Sequence, residues 1–190
     1  MDRMTPQAPG RVAPGGAAYG TVAKWLHWIT AGLMLVALPM GFAIQHVKDA
    51  SKMPFYAIHE SAGVTIFVVV LIRIAWRRIS PPPPLDPAIP RPMRVAATAV
   101  HHALYAMLLI QPLLGFLMTN AFGFPMRGQT AYLFLIDFPK FMDAVPGLAE
   151  WLKTFHVIGG WTILVLLVLH IGAVVFHQAI RRDDTLLRMV

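Results

Sequence analysis

Four stretches of this 190-residue sequence, 25–44, 55–76, 95–118 and 154–180, are apolar almost throughout. A helix needs about 20 such residues to cross the roughly 30 Å hydrocarbon layer, and each stretch meets that length. Inside lipid, backbone groups must find partners within their own segment. No alternation over about ten residues supports a barrel, so the runs are expected to be helices. Composition agrees: 57% of the residues are hydrophobic and 13% are charged, more apolar surface than a water-soluble domain of this size can hide. The expected fold is an all-α membrane protein, a four-transmembrane-helix bundle over residues 21–190 in contact with membrane lipid. Residues 1–20, rich in Pro, Gly and Ala and without the apolar core of a signal peptide, are expected to form a flexible arm.

The formal charge is +7, with basic residues at the ends of the apolar runs. There is no basic stripe interleaved with aromatics, which argues against nucleic acid as a partner. Eleven Lys and Arg fall on one side of the expected spans, against Lys48, Lys52, Arg127, Lys140 and Lys153 on the other. The positive-inside rule then predicts that both termini are cytoplasmic. The segment 80–92, with its run of prolines, is expected to be a stiff loop. The octet AYLFLIDF at 131–138 is too short to span and is expected to lie at the interface and cap the bundle. Spans one and three share a short pattern, LPMGF around Pro39 and QPLLGF around Pro112, each with a His upstream.

With no Cys, disulfides, thiolate catalysis and Cys-ligated clusters are excluded, and eight His are the chemical resource. Ionisable side chains in membrane helices are costly and usually face the bundle interior. His156 and His170 stand fourteen residues apart on the fourth span. That spacing is about 21 Å along a helix and returns to nearly the same face. His59, near the start of span two, lies level with His156; His27, near the start of span one, lies level with His170. Two His pairs without a carboxylate or thiolate to complete a tetrahedral shell fit bis-imidazole haem b better than zinc or copper. A metal-ion path or a proton relay is the alternative reading of the same residues. Gly32, Gly63, Gly159, Gly160 and Gly172 beside the pairs leave room for a flat macrocycle.

Other positions carry weaker signals. Arg73, several residues inside the end of span two, is placed either to neutralise a haem propionate or to snorkel to the surface. Glu60 either orients His59, carries a proton or answers a helix dipole. His101 and His102 open span three, where one of them is placed by the inner haem or a bound quinone, or both are solvated. His177 is placed to favour a helix C-terminus, His46 lies in a loop, and the five Trp mark the interface belt.

With His27 in KWLHW, His59 in AIHESAG, His156 and His170 fourteen apart, Pro112 in QPLLGF and the closing DDTLLRM, the chain resembles the bacterial cytochrome b561 family from about Tyr19 to Val190. The resemblance implies an inner-membrane protein with two b-type haems, and His27, His59, His156 and His170 stand at the family's ligand positions. It also implies a one-electron oxidoreductase: at least one member type oxidises superoxide at the periplasmic face and reduces ubiquinone. The haem subunits that link hydrogenases and formate dehydrogenases to quinone are similar too, which makes an electron-transfer or anchor subunit the competing reading. A His-lined transporter is a third, disfavoured by the lack of intramembrane acidic partners. If both haems act in series, ubiquinone is expected on the cytoplasmic side, where His101, Tyr105 and Arg73 offer hydrogen-bond donors. On the opposite side five basic residues face five acidic ones, so only a local basic funnel for an anion is expected.

Overall fold

The computed structural model describes residues 18–123 and 132–190; residues 1–17 of the expected arm and Arg127 lie outside it. Four long helices follow one another, α1 (Thr21–Ile44), α2 (Met53–Ile79), α3 (Arg91–Ala121) and α4 (Pro146–Val175). All four are long and apolar enough to cross a membrane. They form an all-α bundle in which α1 packs on α2 and α3 on α4, α2 and α3 join the pairs, and α1 and α4 touch at few places. Large apolar side chains such as Leu35, Val168 and Leu169 point outward and are exposed, the inverse of a water-soluble bundle. Inside, Met34, Ala37, Ala62, Ile66, Val70, Leu108 and Ile163 form one dry cluster at mid-depth.

Pro54, Pro92 and Pro146 or its neighbours stand in the first turns of α2, α3 and α4, where a missing N–H costs nothing. Helix α4 starts at Pro146, eight residues ahead of the apolar run at 154, because an amphipathic start carries the helix beyond the span. At its other end α4 widens into a π-helical turn, Phe176–Arg181, and Arg182 adopts a left-handed conformation with φ 56°. The chain there turns back toward the bundle. His177, expected to serve the helix dipole, is instead buried: its Nδ1–H donates to Asp183 Oδ2 at 2.6 Å. Asp183 also accepts from Thr185 Oγ1 and Arg181 Nε. The tail then knits the end of the bundle together. Arg188 donates to the carbonyls of Pro83 and Pro84, Trp28 Nε1 to that of Met189, and Tyr19 N to that of Arg188.

The proline-rich connection has no helix until Pro90 caps α3, as expected. The described part of the long connection behaves as a cap. Leu133 N donates to Ser61 Oγ, the Tyr132 and Thr65 hydroxyls meet at 3.0 Å, and Phe141 N donates to Asn120 Oδ1. Thr65 lies six residues into α2 from His59, so this segment reaches about 9 Å deeper than that histidine. Leu133 and Phe134 both take positive φ at its tip, which leaves Leu133 to Ile136 exposed as an apolar point against lipid.

Candidate functional site

The end of the bundle that carries the chain tail gathers His27 from α1, His170 from α4, His101 and Tyr105 from α3, and Arg73 from α2. The rings of His27 and His170 face each other with centroids 6.2 Å apart. His101 stands on the other flank of His170, 5.1 Å between centroids. Arg73 does not snorkel: its Nη2 reaches to 3.3 Å from His27 Nδ1 and its guanidinium lies 5.0 Å from the centre of the Tyr105 ring. Arg77 approaches the same ring at 5.3 Å. Two guanidinium groups beside three imidazoles, with no carboxylate among their hydrogen-bond partners in the described residues, make a cationic recess in an apolar bundle.

The turn end holds His59 of α2 and His156 of α4, with ring centroids 5.9 Å apart. The sequence pairing by depth is therefore what the helices present. His59 Nδ1–H donates to the Ala37 carbonyl at 2.7 Å, which leaves the lone pair on its Nε2. Glu60 does not orient His59; its Oε1 accepts from Thr119 Oγ1 at 3.1 Å instead. His156 Nδ1 is buried beside the Gln111 backbone carbonyl and makes no closer hydrogen bond among the described residues. Between the two levels lies the dry cluster that contains Ile66, Val70 and Ile163.

The two helix pairs repeat one another more closely than the short proline pattern showed. His27 precedes Gly41 by fourteen residues and His101 precedes Gly115 by fourteen; His59 precedes Arg73, and His156 precedes His170, by the same interval. In space Gly41 lies against the His59 ring and Gly115 against the His156 ring; a Cβ would sit 2.7 Å and 3.0 Å from the respective Cε1 atoms. At the other level Arg73 meets His27 as His170 meets His101. Glycine at 41 and 115 is thus required by close approach of an imidazole, a role no linear reading assigns. Of the glycines expected to make room, Gly32, Gly63 and Gly172 face open space. Gly159 and Gly160 face the Gln111 side chain instead, whose Nε2 donates to the His156 carbonyl.

These donors suit a planar tetrapyrrole that brings its own four equatorial ligands. Each pair, with centroids 6.2 and 5.9 Å apart, would supply such a group with two imidazole donors. Among the described residues no three His, Cys, Asp or Glu side chains converge on a point, so a bare ion would find an incomplete shell. His46, by contrast, is exposed in the turn after α1, and its Nδ1 bonds only to the Phe42 carbonyl. The Trp residues serve mixed ends: Trp25 and Trp151 are exposed, Trp161 packs 4.9 Å from Phe42 across the α1–α4 gap, and the Nε1 of Trp76 is buried without a partner.

Residues 18–190 match the prokaryotic cytochrome b561 family. The chain is 30% identical over 174 residues to cytochrome b561 homolog 2 of Escherichia coli strain K12, covering 90% of each protein. It is 29% identical over 177 residues to the probable superoxide oxidase CybB of Yersinia pestis, covering 90% of this chain and 95% of the relative. Cytochrome b562 of Cereibacter sphaeroides is 25% identical over 171 residues, 87% of this chain and 90% of that one. A match of this length, on a bundle of four apolar helices with imidazoles facing each other inside it, has one meaning: the chain belongs to the prokaryotic cytochrome b561 family, membrane electron-transfer proteins with b-type haem.

Proposed function

We propose that the protein is a two-haem oxidoreductase of the bacterial inner membrane that takes single electrons from superoxide on the periplasmic side and delivers them to ubiquinone. His59 and His156 would hold one haem b, and His27 and His170 the other. The observation that carries this reading is the facing of two imidazole pairs at two depths, tied together by the fourteen-residue interval of α4. The likeness to a relative named as a probable superoxide oxidase supports the choice of donor. Haem, when bound, supplies the reversible one-electron chemistry of its iron. In the balanced reaction two superoxide ions give up one electron each to become oxygen, and ubiquinone gains both electrons and two protons.

The side chains have separable tasks. Ala37 fixes the His59 tautomer through its carbonyl, so that Nε2 is presented for coordination. If His27 held the metal through Nε2, its Nδ1 would carry the proton and could not accept from Arg73, and the guanidinium would then be available to neutralise a carboxylate such as a propionate within an apolar bundle. The mid-depth cluster keeps water out of the region between the two pairs. His101 and Tyr105 stand one helical turn apart at the tail end and offer an N–H and an O–H to quinone oxygens. The eleven-to-five distribution of Lys and Arg supports a cytoplasmic tail end. At the turn end Lys140 and Lys153 are paired with Asp143 and Glu150 in exposed contacts, which leaves less positive field for an anion than the count of cations implies.

Stopped-flow mixing of the quinone-loaded protein with superoxide tests donor and direction together. Rapid haem reduction followed by ubiquinol formation is expected. Reduction by dithionite but not by superoxide would reject superoxide as the donor and favour an electron-transfer subunit serving another protein.

A further inference from the structure

An open groove of about 680 Å³ runs between the start of α3 and the proline-rich connection before it, outside the two imidazole pairs. Helix α3 supplies its polar lining, Arg91, Arg94, Thr98 and His102, with Val95 and Ala99 between them. These positions recur at intervals of three and four residues and make one face of the helix. Leu104 and Leu108, which α3 buries in the bundle, lie on another. Pro84 and Leu85 form the facing wall. That wall is held in place, because Arg188 donates to the carbonyls of Pro83 and Pro84 and the run of prolines has little freedom to move.

The depth of these side chains selects the ligand. Val95 opens the third apolar run, so Arg91 and Arg94 stand at the edge of the hydrocarbon, and neither guanidinium has an ion-pair partner among the described residues. Asp86, the carboxylate of the connection, accepts from the Ala88 N–H. His102 lies seven residues beyond Val95, about 10 Å into the apolar run, exposed and without a hydrogen bond among the described residues. An imidazole there is costly against lipid tails alone. Side chains on a helix lean toward its N-terminus, which brings the ring back toward the arginines. Two cations at the boundary, a hydrogen-bonding ring below them and apolar side chains alongside match an anionic head, polar atoms beneath it and hydrocarbon chains. Guanidinium forks suit a phosphodiester, and basic pockets at the membrane boundary hold such headgroups. A quinone lacks the anion, and free phosphate lacks the chains.

We propose that the groove is a binding site for one anionic glycerophospholipid, with Arg91 and Arg94 on its phosphate, His102 donating to a glycerol-ester carbonyl and an acyl chain along Val95, Ala99 and Leu85. The lipid fastens the start of α3 to the bilayer surface, together with the connection that Arg188 ties down. The site is independent of haem ligation and of the electron donor.

Native mass spectrometry of the purified, haem-loaded protein with added dioleoylphosphatidylglycerol tests this. One phosphatidylglycerol is expected to bind in preference to phosphatidylcholine of the same chains, and glycerol phosphate, which has the anion without the chains, is expected not to displace it. Arg91→Gln with Arg94→Gln should weaken the association about thirtyfold and abolish the preference. His102→Leu keeps both charges and should weaken binding severalfold with the preference intact. Ala99→Trp fills the groove without removing a polar group and should release the lipid, which keeps the proposal testable if the double arginine variant does not accumulate. Unchanged haem absorption in each variant shows an intact bundle. Equal binding of phosphatidylcholine would reveal only an apolar annulus, and displacement by glycerol phosphate a free-anion site. Either overturns the proposal, as does undiminished binding in the double arginine variant or in Ala99→Trp.

Discussion

At the scale of single residues, the site is built from imidazoles held by close neighbours: Ala37 and Gly41 at His59, Gly115 at His156, Arg73 at His27 and His101 at His170. His156→Ala is expected to remove the turn-end haem and His170→Ala the tail-end haem, each leaving the other, since about 21 Å of helix separates the two. Haem per chain in the purified variants checks this, and two haems in either would reject the ligand assignment. His46→Ala, at an exposed side chain whose Nδ1 bonds to the Phe42 carbonyl, should keep both. Gly41 and Gly115 lead to a sharper expectation. Valine at either position places a branched side chain where an imidazole lies, at backbone positions that cannot retreat. The turn-end haem should be lost or become high-spin, while the tail-end spectrum, fourteen residues away, stays as it was.

At the scale of elements, α4 and the tail that follows it form a clasp. Burial raises the Asp183 carboxyl, but hydrogen bonds from Thr185, His177 and Arg181 outweigh it and hold the group at about 2, below its ordinary 3.8. A group lowered on folding stabilises the fold above its unfolded value, and that contribution is lost as pH falls through the folded value. Asp183→Asn should therefore lower the melting temperature of the detergent-solubilised protein at neutral pH. The gap between variant and parent should narrow between about pH 4 and pH 2; a gap independent of pH would show that the clasp does not depend on this carboxylate. The sequence showed DDTLLRM as a motif, but not that His177 was its buried partner, because hydrogen bonds that close across the end of a helix have no periodicity to read.

At the scale of the whole molecule, the repeat places the two helix pairs around a common interior in which one level is served by His59 and His156 and the other by a richer set. Replacing His101 and Tyr105 with Ala and Phe is expected to slow haem reoxidation by ubiquinone severalfold or more while both haem spectra and reduction by the donor stay nearly unchanged. Unaltered reoxidation, in rapid-mixing traces, would place the quinone elsewhere. The span count, the helical class and the depth matching of four histidines were legible in the chain because each follows from local rules: apolar run length against a fixed bilayer thickness, and fourteen residues returning a side chain to its own face. The start of α4 was missed because apolarity marks where a helix meets lipid, not where its hydrogen bonding begins. Which way Arg73 turns, whether Glu60 serves His59, what fills the space beside Gly159, and why Gly41 and Gly115 must lack a side chain were decided only by tertiary structure. Each depends on which face of one helix meets which face of another, and helix-to-helix rotation is settled by packing between residues tens of positions apart.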